Sequence, residues 1–271
     1  MPKIRMIASD LDGTFLDSQG VASPENVSAM LEAADRGVHL VFATGRPARW
    51  LQALEPVLGA KPQAITSNGA VVFDVVDKVV LHHSPMPSET TIAVADDLRA
   101  AMPDVAFAVE YTYGWGREIR YPLRGDRVEA KVLAQSVPEL LASGTAVKLL
   151  AISPSLHTHD MAEIAELVNA ERLAGTFSMV RASGLLEFCA PGVSKASALE
   201  LLMDDLGVAP AELVAFGDMP NDLSMLHLAG HAFAMADAHP LLLEHGFARA
   251  GGHDDSGVGR AVRELLDAGL I

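Results

Sequence analysis

The sequence predicts an α/β fold: a parallel-sheet core interrupted by an inserted α+β module. Three observations carry that reading. Short buried-type strands alternate with helical segments as far as Thr66. A different mixture of helices and strands fills roughly residues 83–185, and the alternation resumes after Leu185. Strand–helix alternation of this kind is what a parallel sheet with crossover helices requires. The core is therefore expected over residues 1–82 and 186–271, and the insert over 83–185.

The elements follow in order. Arg5 to Ser9 is the first strand and ends in Asp10-Leu11-Asp12-Gly13-Thr14. Ser23-Pro24 starts a helix, an N-cap followed by the residue best suited to the first helical position. Val27, Met30, Leu31 and Ala34 recur at helical spacing, and Gly37 stops that helix. Val38 to Ala43 is a second buried-type strand ending in Thr44-Gly45-Arg46, and Pro47 opens another helix. Gln63 to Thr66 is the third strand, ending in Ser67-Asn68-Gly69. Val71 to Phe73 and Lys78 to Leu81 flank Asp74 to Asp77 as a hairpin. Inside the insert, helices are expected near 88–101, 137–143 and 159–173, and strands near 105–111, 147–152 and 176–181. Beyond it come a helix from Ser194 stopped by Gly207, a strand over Leu213 to Phe216 ending in Gly217-Asp218, and a helix from Pro220 to Leu228. A strand at His231 to Met235 and a helix at Val258 to Leu266 complete the chain.

Composition bounds the function. The 271 residues are half apolar, enough for one large domain or a domain with a smaller companion at about 150 residues per domain. Lys and Arg number 20 against 35 Asp and Glu, a net charge of −15. That balance argues against nucleic acid, whose binding rests on clustered cations, and against an anionic membrane surface. A small anionic substrate stays compatible, because a metal ion or a few local cations reverse the field within one cleft. The single Cys189 excludes an internal disulfide and a Cys-built zinc site. No apolar stretch approaches the ~20 residues of a membrane span, and the apolar stretch before Asp10 is too short for a signal peptide. A soluble, cytoplasmic protein is expected.

The polar residues gather at strand ends, where open parallel sheets bind ligands. Asp10 and Asp12, two apart after the first strand, face one crevice, an arrangement suited to a nucleophile beside a general acid. The same Asp-Leu-Asp-Gly also suits a plain turn. Asp218 and Asp222 offer carboxylate oxygens to a hard cation such as Mg²⁺, and equally suit helix capping. Thr44-Gly45 puts a hydroxyl and a backbone N–H at a helix start, the makings of a phosphate cradle. Lys195 opens a helix after Gly192-Val193-Ser194, outside any P-loop order. Together these segments supply a nucleophile, an acid/base, metal ligands, a hydroxyl and a cation, the inventory for phosphoryl transfer through an aspartyl-phosphate.

The pattern resembles the haloacid dehalogenase-like phosphohydrolases, and within them the Cof-type group. Asp10-Leu11-Asp12-Gly13-Thr14 matches the family's Asp-x-Asp-Gly-Thr signature and Ala43-Thr44-Gly45-Arg46 its second motif. Gly192-Val193-Ser194-Lys195 matches its third, and Gly217-Asp218 with Asn221-Asp222 its fourth. The likeness runs over nearly the whole chain. It departs at Met219-Pro220, where a small or acidic pair is often found, and at Asp237, where Asn is frequent. The resemblance implies a Rossmann-like core with an inserted α+β cap domain. It implies a Mg²⁺-dependent phosphatase for small phosphorylated metabolites, sugar phosphates foremost. It further implies Asp10 as nucleophile and Asp12 as acid and base. Mg²⁺ would be held by the Asp10 and Asp218 carboxylates and the Asp12 carbonyl. Phosphate would be bound by Thr44, Gly45, Lys195 and Asn221, with Asp222 orienting Lys195 and the metal's surroundings. Two other readings share the motifs: a phosphosugar mutase, and a non-catalytic sugar-phosphate-binding protein.

In the insert, Glu110-Tyr111-Thr112-Tyr113-Gly114-Trp115 offers rings and a carboxylate to a polyol, or packs its own aromatics, the commoner use. Arg117, Arg120, Arg124 and Arg127 read as a solvated face rather than an anion site. His82-His83 and His157-Thr158-His159 lack accompanying ligands at metal spacing and read as surface or loop histidines.

Overall fold

The computed structural model describes residues 3–122, 129–167, 174–176 and 185–271. The chain divides into two units, one of residues up to Leu81 with Ser194–Ile271, the other His82–Val193. The first unit begins with β1 (Met6–Ser9), α1 (Pro24–Asp35), β2 (His39–Ala43), β3 (Gln63–Thr66), β4 (Val71–Asp74) and β5 (Val79–His83). The second holds α2 (Ser88–Ala101), β6 (Ala106–Tyr111), β7 (Trp115–Glu118), β8 (Val132–Ala134), α3 (Val137–Ala142) and β9 (Ala146–Ile152). It continues with α4 (Thr158–Leu167), β10 (Ala174–Thr176) and β11 (Leu185–Cys189). The first unit resumes with α5 (Lys195–Leu206), β12 (Leu213–Gly217), α6 (Leu223–Leu228), β13 (His231–Ala234), α7 (Pro240–Glu244), β14 (Ala248–Arg249) and α8 (Gly257–Asp267).

The sheet of the first unit has the order β14-β13-β12-β1-β2-β3-β4-β5. Pairing is parallel from β14 through β3, and β4 runs antiparallel to β3. Strand β1 is central: the chain leaves it toward β2 and β3, then returns on its other side as β12 and β13. That reversal opens a crevice at the carboxyl ends of β1 and β12, the place where doubly wound sheets bind ligands. Met6, Ile7 and Ala8 are all fully buried, as expected of a strand covered on both faces. Helix α1 starts as its sequence dictates, with the Ser23 hydroxyl accepting from the Asn26 N–H and Pro24 in the first turn.

Two elements differ from the sequence reading. The segment after Pro47 forms 3₁₀ turns at Ala48–Trp50 and Gln52–Ala60 instead of an α-helix. Pro56 lies inside the second and has no N–H for an i→i−4 bond, so the α ladder cannot run through it. The helix expected from Pro220 begins as a 3₁₀ turn, Pro220–Asp222, before α6. The return to the first unit also comes later than residue 186: β11 pairs antiparallel with β9, and the first unit resumes at Ser194.

In the second unit the sheet order is β10-β11-β9-β6-β7-β8, antiparallel except for β7 with β8. One face carries Phe107, Val109, Leu149, Ala151, Leu186 and Phe188, packed with Val94 and Leu98 of α2. Residues alternating with these, Ala106, Ala108, Leu150 and Ile152, cluster with Trp115 and Tyr121. Trp115 is buried and meets Tyr121 edge-on at 6.5 Å, while the Tyr111 hydroxyl donates to the Leu140 carbonyl and Tyr113 is exposed. Packing is thus what most of this aromatic segment does. Arg117 donates to the carbonyls of Glu118, Ile119 and Tyr121, and Arg120 pairs with buried Glu118. Arg124 and Arg127, the end of the helix expected to reach Leu173, and all but Thr176 of the strand expected to run from Thr176 to Arg181 lie outside the described residues. No described helix is long and apolar enough to cross a membrane.

Candidate active site

Asp10 follows the last residue of β1, and its N–H donates to the Phe216 carbonyl of β12 across the crevice. Gly13 takes φ +80°, a left-handed turn, and a Cβ there would stand 2.5 Å from Asp218 Oδ2. The glycine therefore keeps open the space beside the Asp218 carboxylate. Thr14 Oγ1 donates to Asp218 Oδ1 at 3.0 Å, tying the first strand's loop to that of β12. On the other side Ser194 caps α5 in a reciprocal pair with Ser197, which fixes Lys195 at the first helical position. The lysine ammonium donates to Asp10 Oδ1 at 2.5 Å and to Asp222 Oδ1 at 2.6 Å, all three residues being buried. Asp222 is held in turn, its Oδ2 accepting from the Asp218 and Met219 N–H groups at 3.0 and 2.9 Å.

The charges here are unbalanced. Carboxylate oxygens of Asp10, Asp218 and Asp222 lie within 4.8 Å of one another. They face one ammonium. Burial, then the neighbouring Asp222 and Asp218 carboxylates, push the Asp10 carboxyl well above its ordinary range despite Lys195. Burial and Asp222 likewise raise Asp218 to about 7. Burial alone would lower Lys195, but Asp10 and Asp222 outweigh it and hold its pKa above the usual lysine value. Asp222 has both oxygens committed to protein donors, whereas no hydrogen bond among the described residues reaches Asp10 Oδ2 or Asp218 Oδ2. Two hard oxygen donors beside a glycine-lined gap, with uncompensated negative charge, fit a divalent cation.

The second motif lies at the end of β2. Thr44 is buried, its N–H donates to the Ile65 carbonyl, and its Oγ1 accepts from the Arg46 N–H at 3.1 Å. Asn68, at φ +60° after β3, stands beside Gly45: a Cβ on that glycine would lie 3.0 Å from Asn68 Oδ1. Asn221 Nδ2 donates to the same Asn68 oxygen at 3.3 Å. Asn68 thus links the second motif to the fourth. The side chain of Asp12 stands apart from this cluster. Its two oxygens accept from Arg46 Nε and Nη2 at 2.8 and 2.5 Å, and the side chain is 57% exposed.

Asp10, Lys195, Asp218 and Asp222 thus form one bonded group, Asn221 and Gly45 meet through Asn68, and the Asp12 carboxylate is turned to Arg46. Sequence reasoning missed Asn68, the Thr14–Asp218 bond and the role of Arg46 as partner of Asp12. Asn68 had a usable signal: it ends a strand of the same parallel sheet as the other motifs.

A family model for the haloacid dehalogenase-like hydrolases matches residues 7–262. The chain is a haloacid dehalogenase-like hydrolase. Several of its relatives are named phosphatases, and the enzyme is a phosphoric monoester hydrolase of the Cof type. It is 29% identical to the 5-amino-6-(5-phospho-D-ribitylamino)uracil phosphatase YwtE of Bacillus subtilis, over 97% of this chain and 98% of that one. It is 30% identical to the HMP-PP phosphatase of an Enterobacter species, over 88% and 86% of the two chains. Among solved structures, a haloacid dehalogenase-like hydrolase from B. subtilis superposes with a TM-score of 0.80 at 24% identity, covering 97% of this chain and all of the other. The sugar phosphatase BT4131 gives 0.81 at 19% identity, covering 98% and 100%. These two likenesses establish the hydrolase's fold.

Proposed function

We propose that this hydrolase is a Mg²⁺-dependent phosphatase of small phosphorylated metabolites, sugar phosphates first, working through an aspartyl-phosphate on Asp10. The observation that carries the proposal is the bonded group of Asp10, Lys195, Asp222 and Asp218 at the strand reversal. The name of the B. subtilis relative supports the substrate class, since its phosphate sits on a ribityl chain, a sugar-like polyol.

The Asp10 carboxylate attacks phosphorus, and the bond to the leaving oxygen breaks as Asp12 gives that oxygen a proton. To do so the Asp12 side chain must turn from Arg46. Ionised Asp12 then takes a proton from water, the resulting hydroxide attacks the phosphorus, and inorganic phosphate departs with Asp10 restored. The Lys195 ammonium, the Thr44 hydroxyl, the Gly45 N–H and the Asn221 amide bind phosphoryl oxygens as their charge redistributes. Asp222 keeps Lys195 aimed at Asp10. Asp10, Asp218 and the Asp12 carbonyl would hold Mg²⁺, which would supply positive charge to offset repulsion between nucleophile and phosphate.

The test is phosphate release from a panel of phosphomonoesters with Mg²⁺ present, on the wild type and on Asp10→Asn. We expect hydrolysis of several sugar phosphates and a kcat at least ~10³-fold lower in the variant. Conversion of a hexose 1-phosphate to its isomer without phosphate release would instead make the enzyme a mutase. No turnover across the panel would leave a sugar-phosphate-binding protein.

A further inference from the structure

The turn after β3 meets each of the three segments to which phosphate binding is assigned, yet the reaction above gives it no task. Its backbone is zipped to the loop after β2. The Thr44 N–H donates to the Ile65 carbonyl at 2.8 Å, the Ser67 N–H to the Arg46 carbonyl at 3.0 Å and the Asn68 N–H to the Thr44 carbonyl at 3.1 Å. Asn68 is 1% exposed and holds φ +60°, a left-handed conformation that asparagine adopts more readily than most residues. Its neighbour Gly69 lies against the start of α5, where a Cβ would stand 3.2 Å from the Lys195 nitrogen. The Asn68 carboxamide lies over Gly45, where a Cβ would come 3.0 Å from its Oδ1. That same oxygen accepts from Asn221 Nδ2 at 3.3 Å. Among the described residues no other hydrogen bond reaches the Asn221 side chain.

A primary amide carries two N–H groups on one nitrogen. With one given to Asn68, the Asn221 amide is fixed in direction and the other N–H remains for a phosphoryl oxygen. The two asparagines come from opposite sides of the strand reversal. Asn68 follows β3 and Asn221 follows β12, with β1 and β2 between those strands in the sheet. Their hydrogen bond therefore spans the crevice and ties one wall to the other. A donor already held by a buried partner needs no reorientation as charge develops on the phosphoryl group, and such preorganised dipoles lower the barrier. Resting on the phosphate cradle proposed above, we propose that Asn68 is a positioning residue, the anchor that aims the Asn221 amide at the phosphoryl oxygens.

The experiment is a double-mutant cycle on the full chain. It reads kcat/KM, with Mg²⁺ present, for the sugar phosphate hydrolysed fastest in the panel above. The wild type is compared with Asn68→Gly, Asn221→Ala and the double variant. Glycine adopts the left-handed turn without strain, so Asn68→Gly removes the carboxamide and keeps the backbone. Asn68→Ala is carried through the same cycle as a second removal of the acceptor. We expect Asn68→Gly to lose ~10-fold in kcat/KM and Asn221→Ala at least as much. We expect the double variant to stay within twofold of Asn221→Ala, because a residue that acts through another adds nothing once that other is gone. The Mg²⁺ concentration for half-maximal rate should stay within twofold of the wild type, whereas a general loosening of the site would move it. Losses that multiply in the double variant overturn the role of Asn68. So does a kcat/KM for Asn68→Gly within twofold of the wild type, or a Mg²⁺ requirement that rises as the rate falls. Wild-type kcat/KM in Asn221→Ala overturns it as well, and leaves the Asp10 reading standing. A wild type that hydrolyses no phosphomonoester overturns both.

Discussion

Lys195 shows how much a single side chain can carry. It is 1% exposed and holds two buried carboxylates, so replacing it leaves Asp10 and Asp222 facing each other without a cation. Breaking a buried ion pair from one side costs about 3–5 kcal/mol, far more than the pair contributes when whole. Lys195→Met is therefore expected to lower the unfolding free energy of the metal-free protein by ~3 kcal/mol, measured by urea denaturation, besides abolishing turnover. Arg46 and Asp12 form the contrasting case. The Asp12 side of the pair is open to solvent, and pairs screened by water contribute about 0.2–1 kcal/mol. Arg46→Ala should therefore shift the same urea midpoint very little, which assigns the pair to conformation of the acid rather than to stability. The sequence singles out Lys195 and Asp12 as candidates for the chemistry. It did not show that one is locked in place and the other turned away, because side-chain direction depends on partners from distant segments: residues 195 and 10 are 185 apart, and residues 46 and 12 are 34 apart.

At the level of elements, the motifs were legible because parallel strands of this sheet deliver their polar residues to one edge. Asp10, Thr44 and Asp218 each follow a buried apolar run, and that local pattern was enough. The segment after Pro47 was harder: a proline suits a helix start, while Pro56, with no N–H to donate, interrupts the α ladder further along. The turn Ser67–Gly69 was read as punctuation, yet it is where β3 meets the start of α5. Gly69 has φ +112°, and a Cβ there would lie 2.5 Å from the Ser194 carbonyl carbon and 3.2 Å from the Lys195 nitrogen. No side chain fits without moving the cap that aims Lys195. Gly69→Ala is expected to cost ~2 kcal/mol or more, from the backbone conformation and the collision together, and to lower kcat as well. A calorimetric scan and a rate assay on one preparation check both.

Across the whole molecule, the acidic balance of −15 says little about fold, but the three carboxylates gathered around Lys195 link stability to pH. The Asp218 carboxyl sits at about 7 when folded, against an ordinary value of 3.8. The folded chain therefore binds more protons than the unfolded chain between those two values, and stability falls as pH rises through that window. A bound divalent cation competes with the proton and removes the penalty. With chelator present, the melting temperature is expected to drop between pH 5 and pH 8. Saturating Mg²⁺ should raise it by a few degrees at pH 8 and much less at pH 5, each kcal/mol being worth about 2–4 °C in a chain of this size. Equal stabilisation at both values would contradict the assignment. The division of the molecule was visible as a change of rhythm, but its later seam was misplaced. Leu185–Cys189 is a short apolar run that reads equally well as a core strand, and only its antiparallel partner β9 assigns it to the second sheet.

That seam has an evolutionary consequence. The chain re-enters its first unit at Ser194, one residue before the lysine, and leaves it after Leu81. Every group assigned here to phosphoryl chemistry is encoded outside the interval 82–193. Substitutions can accumulate within that stretch over generations without replacing any of those groups.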